Sequence, residues 1–419
     1  MEKCNVLVVG AGGREFAIAK KLANSPQIGQ VYCAPGNVGM LTIGVQPVKI
    51  EEDDFSSLIQ FAKDNNIIWT FVGPEDCLVA GIVDRFTRAG LKIFGPTARA
   101  AQLEGSKSYA LEFMHDYGIP TARYRSYQEP AMAIKGLEEF GFPVVIKEDG
   151  LAGGKGVIIA QNHDQAVQTI HDMFKHDQSQ LLLEECLVGP EYSLFLVVSD
   201  NDYRILPLAQ DHKRALDGDR GLNTGGMGAY SPVPQLRDAD YQQMVKEVVE
   251  PTIAGLKDRN YHYHGILYIG LILTVNGPKV IEYNVRLGDP ETQVILPRLE
   301  TDFYELIDQA INDRPLLPIR VSTVASLGVV VAAKGYPQFP VQGQVIGELP
   351  QEPGIVIDYA NVAGTLDHLT GAGGRLLMVL ARGNTLQEAH DQVYGYLNKI
   401  NLVDCIYRHD IGAKAGLTN

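Results

Sequence analysis

Glu282, Asn284 and Arg286 alternate with Ile281, Tyr283, Val285 and Leu287 across residues 280–287, the pattern of a β-strand whose successive side chains face opposite ways. One face is apolar, and the other carries a carboxylate, an amide and a guanidinium. A carboxylate and an amide oxygen about 7 Å apart along a strand suit Mg²⁺, or Mn²⁺ in its place, shared between protein and phosphate oxygens. The guanidinium beside them can clamp a carboxylate or a phosphoryl oxygen. Alternation alone also describes a strand with a polar outer face. The turn that follows, Gly288-Asp289-Pro290-Glu291-Thr292-Gln293, adds carboxylate and amide groups that solubility does not require.

A second candidate site lies at residues 143–157, where a strand bearing Lys147 leads into Asp149-Gly150-Leu151-Ala152-Gly153-Gly154-Lys155-Gly156. The register is not that of a Walker A loop, because Asp149 falls on its first glycine and Gly156 on its hydroxyl position. A strand-to-strand loop of this composition can fold over triphosphate oxygens, with Lys147 as a point charge near the α- and β-phosphates. A hairpin with solvated lysines is the plain alternative. In residues 181–191 an apolar strand runs into acidic residues and a bend, where backbone groups can read an adenine edge and Glu191 can accept from ribose hydroxyls. The mixed charges of 210–214 precede the small-residue stretch 221–230, a pairing that usually marks a substrate-contacting segment, with a plain flexible surface loop as the alternative. His212, alone among those charges, is expected to be a structural hydrogen-bonder.

The elements that must position these groups begin with strands at 5–9, 31–34, 69–72 and 92–94, alternating with helices at 14–24, 55–65 and 77–89. That order reads as a doubly wound parallel sheet, which binds ligands beyond the carboxyl ends of its strands. Those ends are the loops 10–15, 35–37, 73–76 and 95–97. In the first, Glu15 stands where a GxGxxG fingerprint has its third glycine, and no acidic residue ends the second strand, which argues against a dinucleotide. A glycine turn feeding a helix still offers N–H groups to a small phosphate ester, or it serves only close packing. A helix at 107–117 leads to a smaller α+β unit at 121–190 with strands at 143–147, 156–160 and 181–185. Strands at 193–198, 205–209, 265–273 and 280–287 follow, joined by the glycine-rich stretch 217–232. From about residue 322 the patterning is again β-rich, with strands at 327–332, 355–359 and 376–380 and a helix at 386–398.

The 419 residues suggest two to four domains. With 45% hydrophobic and 21% charged residues and no long apolar run, the chain reads as globular and cytoplasmic, without a membrane span or signal peptide. A net charge of −14 argues against a nucleic-acid surface, though not against an anionic ligand held by local donors. The five cysteines are odd in number, scattered and never in CxxC spacing, so neither a disulfide framework nor a zinc site is expected.

The segments GAGGRE, PGN, VGPE, QLEGSK, KEDGLAGGKGV, EECLVGPEYS, QDHKRALDGDRGLNTGGMGAYSP, IEYNVRLGDPETQ and GGRLL run in this order along nearly the whole chain. Together they closely resemble the glycinamide ribonucleotide synthetase (phosphoribosylamine–glycine ligase) family of the ATP-grasp superfamily. The resemblance implies an N-terminal substrate domain at 1–103, a two-lobed ATP-grasp core at 104–318 and a C-terminal β-rich domain at 319–419. It implies ATP-dependent joining of glycine to 5-phosphoribosylamine through glycyl phosphate, with ADP and phosphate released, in purine biosynthesis. Handover of the labile amine by the preceding enzyme would fit.

On the same resemblance, Lys107 and Lys147, with Gly153, Gly154 and Lys155, hold the ATP phosphates. Glu184, Glu185, Leu187 and Glu191 hold its base and ribose, and Glu282 and Asn284 its metal. Arg286 and Asp289 lie beside the glycyl group, with Asp211 and Lys213 near the reacting ends. The loops Gly10, Gly12, Gly13 and Arg14, with Asn37 and Glu75, take the phosphate of phosphoribosylamine, and Asn223, Thr224, Gly225 and Gly226 contact substrate. Phe16, where the family usually has histidine, Glu148, Gly153, Leu222, Asp76-Cys77 and Val362 depart from the pattern without removing a metal ligand or phosphate lysine. Another ATP-grasp ligase would share the core but not the QDHKR and GDPETQ segments together. A non-catalytic nucleotide-binding protein would be expected to have lost Glu282, Asn284 or the lysines.

Overall fold

The computed structural model describes residues 3–151, 156–175 and 180–417. The N-terminal sheet has five parallel strands in the spatial order Gln46–Pro47, Ile28–Pro35, Cys4–Gly10, Ile67–Val72, Ile93–Phe94. Val6, Leu7, Val8 and Val9 of its central strand are fully buried, as a strand covered on both faces requires. The strand ends at Gly10, Pro35, Gly73 and Gly95 therefore meet at one edge, as expected. One expected helix is two, Glu75–Val79 and Ile82–Arg88, because Gly81 between them has φ +85°, a left-handed conformation that glycine adopts without a Cβ penalty.

The small lobe is a four-stranded antiparallel sheet in the order Tyr124–Tyr127, Leu181–Glu185, Val144–Glu148, Val157–Ala160. Helices Pro130–Gly136 and His163–Lys175 cover it, and Ala133, Leu137, Val144, Ile146, Ile170 and Leu183 belong to a core of its own. Facing it is the large lobe, an antiparallel sheet ordered Tyr203–Ile205, Glu191–Val198, Gly265–Thr274, Gly277–Asn284.

Two expected strands end early, each for a visible reason. The strand expected at 205–209 is Tyr203–Ile205; Pro207 has no N–H to continue a ladder, and the chain passes to another sheet at Gln210–Asp211. The strand expected at 280–287 stops at Asn284, because the next amide, Val285 N–H, donates to Glu104 Oε2 at 2.7 Å. Within that strand the register slips so that Gly270 faces Glu282 while Leu271 faces Val280. Ile281 is thus an extra, bulged residue that breaks the expected alternation.

The C-terminal sheet runs Gln210–Asp211, Gly228–Ser231, Ala325–Ala333, Arg375–Gly383, Ile355–Tyr359, with Cys405–Ile406 also paired to Ala325–Ala333. Its first two strands come from the middle of the chain. The stretch 217–232 is therefore more ordered than a loop: a hairpin, Arg214–Leu216 with Arg220–Asn223, precedes the strand Gly228–Ser231. One apolar core joins the N-terminal sheet to the large lobe through Leu7, Phe86, Phe113, Leu267 and Tyr283. A second reaches from Val6, Phe16 and Trp69 through Phe195 and Ile295 to Val330 and Met378 of the C-terminal sheet. All five cysteines are free thiols, and among the described residues no helix is long and apolar enough to cross a membrane.

Candidate active site

A cavity of about 880 Å³ opens where the small lobe, the large lobe and the strand ends of the N-terminal sheet meet. Its lining includes Arg14, Glu75, Lys107, Lys147, Glu184, Glu185, Leu187, Glu191, Asp211, Lys213, Asn223, Thr224, Gly225, Glu282, Asn284, Arg286 and Asp289. The fold thus gathers into one space residues that the sequence spreads over more than two hundred positions. Gly10, Gly12, Gly13, Asn37 and Gly226 are not in that lining, and Gly153, Gly154 and Lys155 lie outside the described residues.

Between the lobes, Lys147 on Val144–Glu148 and Glu184 on Leu181–Glu185 are both buried and form an ion pair of 2.7 Å. Each charge, expected to meet a different part of one ligand, is held here by the other. Lys107 opens the helix Lys107–Asp116, whose N-cap Ser106 accepts from Tyr109 N–H. Asp149 of the small lobe completes that cap: its Oδ1 accepts from Lys107 N–H at 2.7 Å and its Oδ2 from Ser108 Oγ at 2.5 Å. The Lys107 ammonium donates to Gly150 O at 2.6 Å, so it grips the stem of the glycine-rich loop, and burial lowers its pKa. Glu185 Oε1 accepts from Lys279 Nζ at 2.7 Å and from Arg123 N–H at 3.0 Å, which ties the lobes at their outer margin.

The bulge at Ile281 leaves Ile281 and Glu282 both facing the cavity. Burial alone would raise the Glu282 pKa, but Lys213, Lys147, Arg286 and Lys107 outweigh it and keep the carboxylate ionised. Asn284 Oδ1 accepts from Arg286 Nη2 at 3.0 Å, which fixes its oxygen and leaves it a second lone pair. An ionised carboxylate and an oriented amide oxygen are hard donors that fit Mg²⁺.

Arg286, expected on the strand and open to a substrate, lies beyond its end with its guanidinium engaged. It meets Glu75 Oε2 at 3.0 Å and Glu104 Oε1 at 2.8 Å. Those two carboxylates diverge. Burial would raise the Glu75 pKa, but Arg286 and Arg14 hold it at about 2, whereas burial pushes Glu104 up to about 7 against the pull of Arg286. Arg14 is buried too, donating to Glu15 Oε1 at 2.6 Å and to Leu287 O at 3.2 Å. The N-terminal sheet is thereby wired to the segment 284–287.

The first glycine loop differs from the expectation that its N–H groups are open to a phosphate. Gly12 N–H donates to Glu15 Oε2 at 2.8 Å, the chain's own capping box, and a Cβ at Gly10 or Gly73 would overlap the Glu15 side chain. Glu15, the departure from GxGxxG, fills the space a dinucleotide phosphate would need. Asn37 is likewise occupied, donating to Ala11 O at 2.7 Å. Gly12 and Gly13 instead back onto Asp289, which pairs with Arg375 Nη2 at 3.0 Å. Arg375 also donates to Gly225 O at 2.7 Å and Asp289 O at 2.6 Å, so its guanidinium joins the segments around 225 and 289. Gly226, at φ +113°, packs against Pro290 where a Cβ would overlap it.

On the remaining wall, Lys213 meets Glu191 Oε2 at 3.1 Å. Burial would lower the Lys213 pKa, but Glu191 and Asp211 raise it well above its ordinary value. Burial pushes Asp211 up to about 7, opposed by Lys213 and assisted by Glu291. His212 is structural, as expected: fully buried, it accepts from Gly412 N–H at 3.4 Å, and burial with Lys414 and Arg408 depresses its pKa to about 3. Thr224 Oγ1 donates to Lys213 O at 2.9 Å and accepts from Gly226 N–H at 2.9 Å.

The sequence reading missed Glu104, Arg375 and Lys414, all of which line the cavity. Glu104 and Arg375 stand inside the quoted QLEGSK and GGRLL segments, and an acidic residue just ahead of a helix cap was the one signal available. Lys414 carried none; its contacts to Asp219 Oδ2 (3.2 Å) and Asp211 O (3.3 Å) exist only because the C-terminus folds back.

Comparison with known proteins agrees with this architecture. Family models described as the N, ATP-grasp (A) and C domains of phosphoribosylglycinamide synthetase match residues 4–104, 105–292 and 326–414. The chain is 46% identical over 417 residues to phosphoribosylamine–glycine ligase of Streptococcus suis, covering 98% of this chain and 99% of that one. The crystal structure of the Thermotoga maritima phosphoribosylamine–glycine ligase superposes with a TM-score of 0.85 at 34% identity, over 97% of this chain and all of the other. A biotin carboxylase from Campylobacter jejuni, at 15% identity and a TM-score of 0.75 over 97% and 93% of the two chains, shares the fold. Matched by all three domain models and at full length by its relatives, the chain belongs to the phosphoribosylamine–glycine ligase family of ATP-grasp enzymes.

Proposed function

We propose that this chain joins glycine to 5-phosphoribosylamine, cleaving ATP to ADP and phosphate, in the purine pathway of the cytoplasm. The observation that carries the reading is that one cavity is lined both by Glu282, Asn284 and Lys147 and by Arg14, Asp289 and Arg375. A nucleotide and an anionic amine can therefore meet in it. We read residues 1–103 as the amine-binding domain, 104–318 as the ATP-grasp core and 319–419 as the domain that closes the amine end.

ATP lies between the lobes, with Lys147 and Lys107 turned from their present partners to its phosphates and Glu191 to its ribose. Glu282 and Asn284 hold Mg²⁺, or Mn²⁺, which neutralises phosphate charge when bound. A glycine carboxylate oxygen attacks the γ-phosphorus in line; the P–O bond to ADP breaks and glycyl phosphate forms. The amine nitrogen then attacks the acyl carbon, the C–N bond forms, phosphate leaves, and the amine sheds a proton. Asp211, as the carboxylate, takes it; burial raises its pKa to about 7, near that of an effective base. Arg286 and Asp289 orient the glycyl group, while Arg375 and Arg14, both lining the cavity, hold the ribose phosphate. Most of the rate comes from placement and charge neutralisation.

ADP release measured with glycine, with and without freshly generated phosphoribosylamine, tests this reading. The expected result is release that requires both. Release with glycine alone, or none with both, overturns it. Adding the enzyme that makes the labile amine and measuring the transient time tests direct handover.

A further inference from the structure

Outside the cavity, a second cluster of potential ligands lies where three turns meet. Asp200 comes from the turn between Glu191–Val198 and Tyr203–Ile205, His262 and His264 from the segment leading into Gly265–Thr274, and Asp313 from the turn after Phe303–Ile311. Ligand atoms of Asp200, His264 and Asp313 lie within 4.8 Å of one another. We propose that these three residues form a binding site for a divalent transition cation of the zinc type, separate from the nucleotide cavity.

Three observations support it. The three members are two carboxylates and one imidazole, hard and borderline donors whose charge a divalent cation would balance. Lys257, which lines an adjoining cavity of about 250 Å³ with Asp200 and His262, is the neighbouring cation on that side, and Lys92 is held by Asn312 Oδ1 at 2.5 Å on the other. Second, His264 Nε2 stands 3.0 Å from Asp313 Oδ1, close to the edge of about 3.3 Å expected between two ligands of a tetrahedral zinc. Third, His262 Nδ1 lies 2.7 Å from Asp200 Oδ2; a second imidazole holding one carboxylate oxygen is the outer contact that orients a ligand and leaves it a free oxygen. An imidazole nitrogen with two carboxylates selects zinc-like ions over Mg²⁺ or Ca²⁺.

The seam location gives such an ion a consequence. His264 O accepts from Gly95 N–H at 2.7 Å, so the cluster is bonded to the last strand end of the N-terminal sheet. An ion there would tie that strand end to the turns after Glu191–Val198 and Phe303–Ile311 without touching the chemistry.

Chelator-stripped protein without an affinity tag would be titrated with Co²⁺ and followed by visible absorption, then with Zn²⁺ in competition. We expect one equivalent bound through nitrogen and oxygen and displaced by Zn²⁺. Affinity should fall at least about tenfold in both His264→Ala and Asp313→Asn, while Glu282→Gln keeps this equivalent and both seam variants keep ADP-releasing activity. Zn²⁺ at a hundredfold excess over its Kd should raise the Tm of the wild type by about 2–4 °C. Asp313 is more than a third exposed, so its amide variant keeps the test open should His264→Ala fold poorly. A wild type that shows no nitrogen-bound cobalt spectrum, or variants that bind as well as it does, overturns the site and leaves two hydrogen-bonded histidine–aspartate pairs.

Discussion

The small lobe rests largely on a core of its own and meets the rest of the protein through Leu182, which joins the core shared by the N-terminal sheet and large lobe, and through charged and capping contacts: Lys147 with Ile281 O at 3.4 Å, Lys279 with Glu185, and Asp149 on the helix Lys107–Asp116. The junction of the N-terminal sheet, large lobe and C-terminal sheet is built the other way, with two continuous apolar cores crossing every boundary. Polar contacts of this kind can exchange one partner for another at little net cost, while a continuous core cannot part without exposing it. The half of the cavity proposed for ATP is thus bordered by an element joined to the rest mainly through polar contacts, and the half proposed for glycine and the amine by one anchored in continuous apolar cores.

Variants on the two sides should separate accordingly. The largest effect is expected from Glu282→Gln, which removes an ionised oxygen donor without opening a core void; turnover should drop by about 10³-fold or more, with Tm within about 2 °C of the wild type. Near-normal turnover at limiting Mg²⁺ would remove Glu282 from the metal assignment. Next is Arg375→Ala, at the fixed junction. It deprives Asp289 and Gly225 of their shared donor and should lower kcat/KM for phosphoribosylamine by about 10²-fold while leaving the KM for ATP unchanged. If the KM for ATP rose instead, the division of the cavity would be reversed.

His212 tests the junction through pH. Its folded pKa is about 3, against an ordinary 6.5, so between those values the unfolded chain binds a proton that the native state does not. Stability is full above pH 6.5 and falls as the pH drops toward 3, by about 1.4 kcal/mol per unit for this group. His212→Gln, whose amide oxygen can still accept from Gly412 N–H, should flatten that slope by about one proton. Denaturant unfolding between pH 7.5 and 5 measures it, and an unchanged slope would mean that His212 does not titrate on unfolding.

The smallest effect should come from the lobe contact. Asp149→Asn keeps its shape but loses the charge at the helix N-terminus, at a cost of about 1 kcal/mol. The KM for ATP should rise roughly threefold to tenfold, with faster hydrogen exchange at Lys107 and Ser108 and none of the change at Gly225 or Asp289. Equal change at both ends would mean that the lobe and the junction move together.

Local patterning settled a large part of this protein. Alternating strands and helices with glycine-rich ends prescribe the parallel sheet, since an apolar run such as Val6–Val9 has nowhere to go but between two covered faces. Glu282, Asn284 and Lys147 were legible because their residue types are costly to place on such strands without a use. Glu15 in place of a third glycine argued against a dinucleotide, and its carboxylate takes the Gly12 N–H. What no local pattern contained was which polar groups would already be satisfied: that Lys147 meets Glu184 and that Arg286 is held by Glu75 and Glu104. Nor did it contain the transfer of Gln210–Asp211 and Gly228–Ser231 to the C-terminal sheet, or the return of Lys414 to Asp211. Periodicity is set by neighbours three or four residues apart, whereas a buried charge takes whichever opposite charge the tertiary fold brings within about 3 Å, and these partners come from 37 to 211 residues away.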